Sequence, residues 1–325
     1  MKLYNLFLIS VILLAVACGK EQSKIDIDAT ELLENVKLLS HDSLAGRKFT
    51  EIGNLKARKY IQEKFQSIGL NPLYDDFVQE FSVTLQGRQR QAVFPIKKPL
   101  DDLSNVKDTT VVGGNVVGTI SGYTNNSIVI TAHYDHLGIQ KGYVFNGADD
   151  NASGVSALLT IAKYFKNKPT KHTLIFAAVD AQEAGSLGAQ DLINTYPNKK
   201  DIALNINMDM ISHSDFDPEL YVCGTYHYVN LKSPIEDIET EYVRVLFGHD
   251  DPYNKEQYDW TFISDHKVFH REQIPFLYFG VEDHKDYHQP TDTFDTINQE
   301  FYIESVKIII RTIEILDELL YEENE

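Results

Sequence analysis

Buried strands alternate with amphipathic helices along most of the second half of the chain, and this alternation constrains the fold more than any other feature. Short apolar runs predict buried strands over 127–131, 173–179, 202–208 and 275–279. Apolar residues at helical spacing predict helices over 153–165, 186–196 and 299–320. Strands separated by helices predict an α/β fold whose central sheet is mainly parallel and flanked by helices on both faces.

The first part of the chain has another pattern. Helical spacing predicts two helices, over 31–39 and 54–68, and the second ends at Gly69. Alternating and β-branched residues over 74–122 predict antiparallel edge strands. No internal repeat is visible, so we expect one domain over 29–325.

The N-terminal segment resembles a bacterial lipoprotein signal. Lys2 precedes an apolar run over 6–17, which is shorter than the roughly 20 residues that span a bilayer. Small residues precede Cys18, so we expect a signal peptide over 1–17, lipidation of Cys18 and a polar tether over 18–28. An ordinary secretory signal with a coincidental cysteine is the alternative. The lipoprotein prediction places the chain outside the cytoplasm in the cell envelope, at the outer membrane or the cell surface.

Charge excludes several classes of partner. The chain has 30 Lys and Arg against 48 Asp and Glu, a net charge of -18. Nucleic-acid binding depends on Lys and Arg, and so does docking on anionic lipid. We therefore expect no nucleic-acid partner, and membrane contact only through the lipid on Cys18. With Cys18 lipidated, Cys223 has no disulfide partner, and the oligomeric state is not predicted.

Metal-binding side-chain types follow the predicted strands. Because the carboxyl ends of parallel strands meet at one edge of a sheet, these residues are expected to lie together. Each alone has an ordinary reading as a helix cap, a surface acid or a core histidine. Together they favour a divalent cation such as zinc, because unpaired buried carboxylates are costly. The residues are His133, Asp135, Asp149, Asp150, Glu183, Asp209 and His288.

Four motifs, in order, resemble the di-zinc aminopeptidase family, which also contains glutamate carboxypeptidases and glutaminyl cyclases. The motifs are HYDHLG at 133–138, NGADDNASG at 146–154, NMDMI at 207–211 and YHQPTDT at 287–293. The resemblance covers about residues 30–320. It implies a zinc-exopeptidase fold of the phosphorylase/hydrolase type and cleavage of peptide substrates, most simply as an aminopeptidase.

The resemblance also implies a role for each matching residue. His133 and Asp209 would hold one zinc ion, Glu183 and His288 a second one, and Asp150 would bridge them. Whether one or two ions bind is left open.

Three further residues receive subsidiary roles from the resemblance. Asp135 would hydrogen-bond His133 and fix its tautomer. Asp149 would be a loop residue rather than a ligand, and His266 would contact the substrate.

Residue 182 departs from the family pattern. The family has two consecutive acids here, a general base and then a ligand, but this chain has Gln182 before Glu183. An amide can hydrogen-bond water but cannot take its proton. Three readings follow: a working peptidase that is slow or uses another base such as Asp149, a metal-binding pseudoenzyme that captures peptides, or a shifted reaction such as glutaminyl-cyclase-like acyl transfer.

Overall fold

The protein is described by a computed structural model that covers residues 24–86 and 108–322. Its helices agree with the sequence prediction and add two short ones. They are α1 (Ala29–Leu39), α2 (Ile52–Ile68), α3 (Gly154–Phe165), α4 (Leu187–Thr195), α5 (Ser233–Glu236), α6 (His266–Arg271) and α7 (Gln299–Glu322). An irregular turn, Ala148–Ser153, precedes α3, and Asp150 and Asn151 in it have non-helical backbone angles.

The strands include all four predicted buried runs. They are β1 (Asn71–Pro72), β2 (Val78–Leu85), β3 (Thr109–Ile120), β4 (Ser127–His133), β5 (Gly138–Gln140), β6 (Tyr143–Phe145), β7 (Thr173–Val179), β8 (Ile202–Met208), β9 (Glu219–Cys223), β10 (Arg244–Phe247) and β11 (Phe276–Gly280). β5 and β6 form a separate hairpin, and the other nine strands form one sheet.

The large sheet is mixed, with a parallel centre. Its order is β1-β3-β7-β4-β8-β11-β9-β10, and β2 pairs with β3 outside this path. The four central strands, β7, β4, β8 and β11, are parallel to one another. β3 pairs with β7 and β9 pairs with β11, both antiparallel, so the parallel region of the sheet ends at β7 and β11. The predicted antiparallel strands over 74–122 are confirmed as β2 and β3.

Helices cover both faces of the sheet, as predicted. Along β4, Ile128 and Ile130 pack in the larger core cluster with apolar residues of α1, α2, α3 and α7. Val129, between them, packs in a second cluster with residues of α4 and α6. This alternation follows from the two-residue period of a strand. Because both faces are covered, access to the central strands is left at their ends.

The described chain begins within the predicted tether. Ile25 is buried in the larger core cluster, and Asp28 caps α1 by accepting a hydrogen bond from the backbone of Glu31 at 3.0 Å. The packed domain therefore starts before residue 29. Cys18 and the predicted signal peptide lie outside the described residues. Among the described helices, none combines the length and apolar character needed to cross a membrane.

Candidate metal centre

A first donor group forms where β4 and β8 end side by side. His133 is the last residue of β4, and Asp209 follows the last residue of β8. The Nε2 atom of His133 lies 3.2 Å from Oδ1 of Asp209 and 3.4 Å from Oδ1 of Asp150. The parallel pairing of the strands thus brings together residues 76 positions apart in the sequence.

A second donor group uses the other oxygen of Asp150. The Nε2 atom of His288 lies 3.1 Å from Oδ2 of Asp150 and 3.6 Å from Oε1 of Glu183. Glu183 comes from the turn after β7, and His288 from the loop after β11. The structure therefore brings the five residues predicted as ligands to one place, with one carboxylate between the two groups.

His136 adjoins the second donor group and was not among the predicted ligands. Its Nδ1 atom lies 3.2 Å from Oε1 of Glu183 and 3.5 Å from Oδ2 of Asp150. The available signal was a second histidine three residues after His133 in the same motif. The imidazole is buried with Asp150 and lies against the half-buried Glu183, so it is part of the same cluster.

The spacing of these atoms fits zinc. Two donors bound to a tetrahedral zinc ion at about 2.0–2.2 Å lie about 3.3–3.6 Å apart. The measured separations in the two groups run from 3.1 to 3.6 Å. Oε1 of Glu183 and both ring nitrogens of His136 are buried without a hydrogen-bond partner among the described residues. Imidazole and carboxylate donors with unmet bonding capacity are what a divalent ion requires.

Charge in the cluster is distributed between carboxylates and imidazoles. Burial opposes ionisation of Asp150, but the neighbouring imidazoles of His136, His133 and His288 hold its pKa well below the usual value. Burial also opposes ionisation of Glu183, yet the same kind of contact lowers its pKa to about 2. Without a metal ion the positive charge that the acids need comes from His133 and His288, because the neighbouring carboxylates raise the pKa of both imidazoles against the effect of burial. A cation at the centre would take over that role.

The loop that carries Asp150 is fixed by hydrogen bonds from its backbone to the side chain of Asp292. Asp292, in the YHQPTDT motif, accepts hydrogen bonds from the backbone N–H groups of Asp149 and Asp150 at 2.9 and 3.1 Å. Gly147 has φ +58°, and a Cβ there would lie 2.0 Å from the carbonyl oxygen of Asp150. A glycine is thus required at this position, and the acid is presented in one orientation.

Asp135 holds the turn that carries Glu183. Its carboxylate accepts the backbone N–H of Gln182 at 2.8 Å and of Glu183 at 3.2 Å. The Nδ1 atom of His133 lies 3.1 Å from the backbone carbonyl of Asp135 and 3.6 Å from its Oδ1 atom. The partner that orients His133 is therefore the carbonyl rather than the predicted carboxylate, because the carboxylate is engaged by the turn.

Arg47 connects the loop after β4 with the loop that carries Asp150. It is fully buried, and its guanidinium donates to the carbonyl oxygens of Tyr134 at 2.9 Å, Asn146 at 2.6 Å and Gly147 at 2.9 Å. A further bond goes to the carbonyl of Leu39. Burial lowers the pKa of Arg47 to about 10, and the acids of the cluster oppose that shift. The guanidinium stays charged and fixes the HYDHLG and NGADDNASG motifs against each other.

Gln182 lies at the edge of the second donor group with its amide turned to the backbone. Its Nε2 atom donates to the carbonyl of Ile263 at 3.3 Å. The carboxylate of Asp149, the predicted substitute base, accepts bonds from Ser212 at 2.7 and 2.8 Å and lies 3.0 Å from Nε2 of His284. The carboxylate of Asp149 is thus engaged by the loops after β8 and β11, through Ser212 and His284.

His266 differs from its predicted contact with substrate. It is fully buried, and its Nε2 atom lies 2.8 Å from the carbonyl oxygen of Trp260. Its ring stacks on Phe276 with centroids 4.8 Å apart, and burial lowers its pKa to about 3. His266 is therefore a neutral core residue. The neighbouring Ser264 reaches the site instead, because its hydroxyl donates to Oδ2 of Asp209 at 2.6 Å.

Known proteins share part of this sequence and this fold. The chain is 26% identical over 184 residues to the alkaline phosphatase isozyme conversion protein of Escherichia coli, over 52% of this chain and 48% of that protein. Its fold is similar to a zinc aminopeptidase from Bacillus subtilis, with a TM-score of 0.67, 16% identity and coverage of 90% and 95% of the two chains. A glutaminyl cyclase from Porphyromonas gingivalis gives a TM-score of 0.64 at 15% identity, with coverage of 89% and 98%.

The relatives and the family model cover different shares of the chain. The aligned part covers between 34% and 48% of the first curated relatives, which are therefore longer than the shared region. The model of peptidase family M28 matches residues 115–313, which contain all five predicted ligands. That match spans more than half of the chain, and the protein belongs to peptidase family M28.

Proposed function

We propose that this chain is a zinc-dependent aminopeptidase that removes N-terminal residues from peptides. The observation that carries the proposal is the position of Asp150, which presents Oδ1 to the first donor group and Oδ2 to the second. When bound in such a site, two metal ions polarise a peptide carbonyl and make water a nucleophile at neutral pH. The residues of the chain position that chemistry, through the bonds that Asp135, Asp292 and Arg47 make to the ligand-bearing loops.

A cavity beside the second donor group supplies a place for a substrate side chain. Its volume is about 490 Å³, and Glu183 and His136 line it together with the apolar residues Phe49, Leu137, Ile139 and Ala184, while Lys48 and Lys141 also contribute to its wall. Apolar walls next to converging polar groups are typical of small-ligand sites. We therefore expect a preference for peptides with an apolar first residue.

Gln182 limits the rate that this site can reach. A general base contributes about 10²–10⁴-fold to such reactions, and a neutral amide cannot supply it. Gln182 can hold a water molecule or a substrate group through its amide, but the proton must leave by another route. We therefore expect slow turnover rather than none.

The second candidate is a metal-dependent peptide-binding protein without turnover. Gln182 favours it, since the donor groups are intact while the position of the base is not. Glutaminyl-cyclase-like acyl transfer is a third possibility that the fold allows. The family pattern places an acid at position 182 for this reaction too. Gln182 therefore argues against acyl transfer as strongly as against peptide hydrolysis.

One experiment separates these candidates. Zinc content and hydrolysis of a panel of aminoacyl substrates are measured for the purified protein and for Gln182→Glu. We expect bound zinc, slow hydrolysis abolished by a chelator, and a rise of about 10²-fold or more in Gln182→Glu. Bound zinc with turnover only in Gln182→Glu would support the binding protein. A protein without bound zinc, whose properties do not change in His133→Ala, would contradict both.

We also propose that the protein is a lipoprotein of the cell envelope, anchored through Cys18. The support is the sequence of residues 1–18 alone. Mass spectrometry of the N-terminal peptide from membranes tests it, with Cys18→Ser as the control. An acylated Cys18 as the first residue is expected, and an unmodified Cys18 in a secreted chain would contradict the anchor.

A further inference from the structure

His136 has no role in the mechanism described so far, yet it is buried inside the site. Its side chain is fully buried, and neither ring nitrogen has a hydrogen-bond partner among the described residues. Oε1 of Glu183, 3.2 Å away, is also without a partner. Buried polar atoms in native proteins are nearly always paired. Two facing atoms without hydrogen-bond partners therefore indicate a ligand that both atoms bind.

The position of the Nδ1 atom of His136 indicates which ligand this is. Nδ1 faces two oxygens, Oε1 of Glu183 and Oδ2 of Asp150, at 3.2 and 3.5 Å. Nε2 of His288 faces the same two oxygens at 3.6 and 3.1 Å. The two imidazoles thus approach one pair of carboxylate oxygens, and their ring centroids are 6.0 Å apart. Two histidines bound to one zinc ion at about 2.0–2.1 Å have ring centroids about 5–6 Å apart.

The first donor group is built differently. It contains Nε2 of His133 with Oδ1 of Asp209 and Oδ1 of Asp150, and Oδ2 of Asp209 is engaged by Ser264. Three side chains around a zinc ion leave a coordination position open, whereas four close it. The two positions are therefore unequal in the number of donors that the chain offers.

We propose that His136 is a fourth protein ligand of the second metal position, bound through Nδ1, so that this position is closed by side chains and the first one stays open. The inference rests on the proposed zinc site, and it assigns the open position for substrate to the His133–Asp209 side.

The test measures metal directly and does not depend on turnover. The full chain, purified in detergent, is compared with His136→Gln and with the control His172→Gln. His172 is an equally buried histidine, 3.0 Å from Asp317 and outside both donor groups. Wild type and the control are expected to bind two zinc ions per chain. In His136→Gln the first ion remains, and the affinity for the second falls at least about 100-fold, since losing a partner behind a ligand alone costs about 10–100-fold.

His136→Cys gives a direct signature of ligation. A thiolate binds zinc at about 2.3 Å and an imidazole at about 2.0–2.1 Å, so sulfur on Cβ has nearly the reach of Nδ1. With cobalt in place of zinc, His136→Cys should show a sulfur-to-cobalt charge-transfer band in the near ultraviolet that wild type, which has Cys223, lacks. This variant decides the matter if His136→Gln does not fold.

Two results overturn the inference while leaving the proposed function standing. One is wild-type affinity for both zinc ions in His136→Gln, and the other is a His136→Cys protein that binds two cobalt ions without the new band. A wild-type protein that binds no metal would instead remove the proposed function and this inference together.

Discussion

The carboxylate of Asp135 accepts the backbone N–H of Glu183 at 3.2 Å, which ties the loop after β4 to the turn after β7. A second bond, from the N–H of Gln182 at 2.8 Å, fixes the same turn. One acid thus controls where the carboxylate of Glu183 points. The geometry of the second donor group depends on a residue that is not one of its donors.

Asp135→Asn tests that dependence. The amide keeps the shape of the side chain but can accept only one of the two N–H groups, so Glu183 should lose its fixed position. We expect the affinity for the second zinc ion to fall about 10–100-fold while the first ion is retained. Metal titration of the purified protein measures both. Asp191→Asn is the control, because this acid on α4 accepts a hydrogen bond from Gln79 and is in neither donor group. Equal affinities in Asp135→Asn and wild type would show that the turn is held by other means.

Ser264→Ala should affect the first donor group instead. The hydroxyl of Ser264 donates to Oδ2 of Asp209 at 2.6 Å, and alanine leaves that oxygen without this donor. We expect about 10-fold weaker binding of the first zinc ion, with the second one unchanged. The same titration gives the answer. Weakening of the second ion alone would contradict the assignment of Asp209.

The buried guanidinium of Arg47 should be required for folding as well as for the site. Lysine in its place has no planar fork, so at least two of the bonded carbonyl oxygens lose their donor. We expect Arg47→Lys to lower the free energy of unfolding by about 2–5 kcal/mol in urea. Arg271→Lys, at an exposed position, should change it by less than about 0.5 kcal/mol. A loss of less than about 0.5 kcal/mol in the free energy of unfolding of Arg47→Lys would mean that the loops do not depend on the hydrogen bonds of Arg47.

His288 makes the stability of the metal-free protein depend on pH. Burial alone would lower its pKa, but hydrogen bonds to Asp150 and Glu183 raise it from 6.5 to about 10. Because the folded pKa is the higher one, this pairing stabilises the metal-free protein below pH 6.5 and is lost as pH rises towards 10. Zinc binding needs the neutral imidazole, so the metal-loaded protein should not show this loss.

The measurement is a series of urea unfolding curves in chelator between pH 6 and 10, for wild type and His288→Gln. The difference in free energy of unfolding between the two proteins should shrink as pH rises. A difference that stays constant over this range would show that His288 is not charged in the metal-free fold.

The central fold was predictable because the strands that build it are buried on both faces. The runs over 173–179 and 202–208 match β7 and β8, since such runs read as continuous apolar segments between turn signals. The ligands after them were predictable for the same reason. Parallel strands end at one edge, so His133 and Asp209 had to meet there once the strands were assigned.

Other features depend on packing that no local pattern encodes. His136 reaches the second donor group because the chain bends after β4, and a three-residue spacing in a loop has no periodic meaning. The bonds of Arg47 go to backbone carbonyls up to 100 residues away, and those atoms carry no sequence signal. The contact of His266 with substrate was predicted only from the family resemblance, in which this stretch lies near the site. His266 is buried instead, because α6 turns its ring onto Phe276.

The paired metal site is tested most directly by anomalous diffraction at the zinc edge, from crystals of the protein purified with zinc. The account predicts two peaks about 3.5–4 Å apart on either side of the Asp150 carboxylate. One should lie between His133 and Asp209, and the other next to Glu183, His288 and His136. A single peak, or two peaks that do not share Asp150, would contradict it.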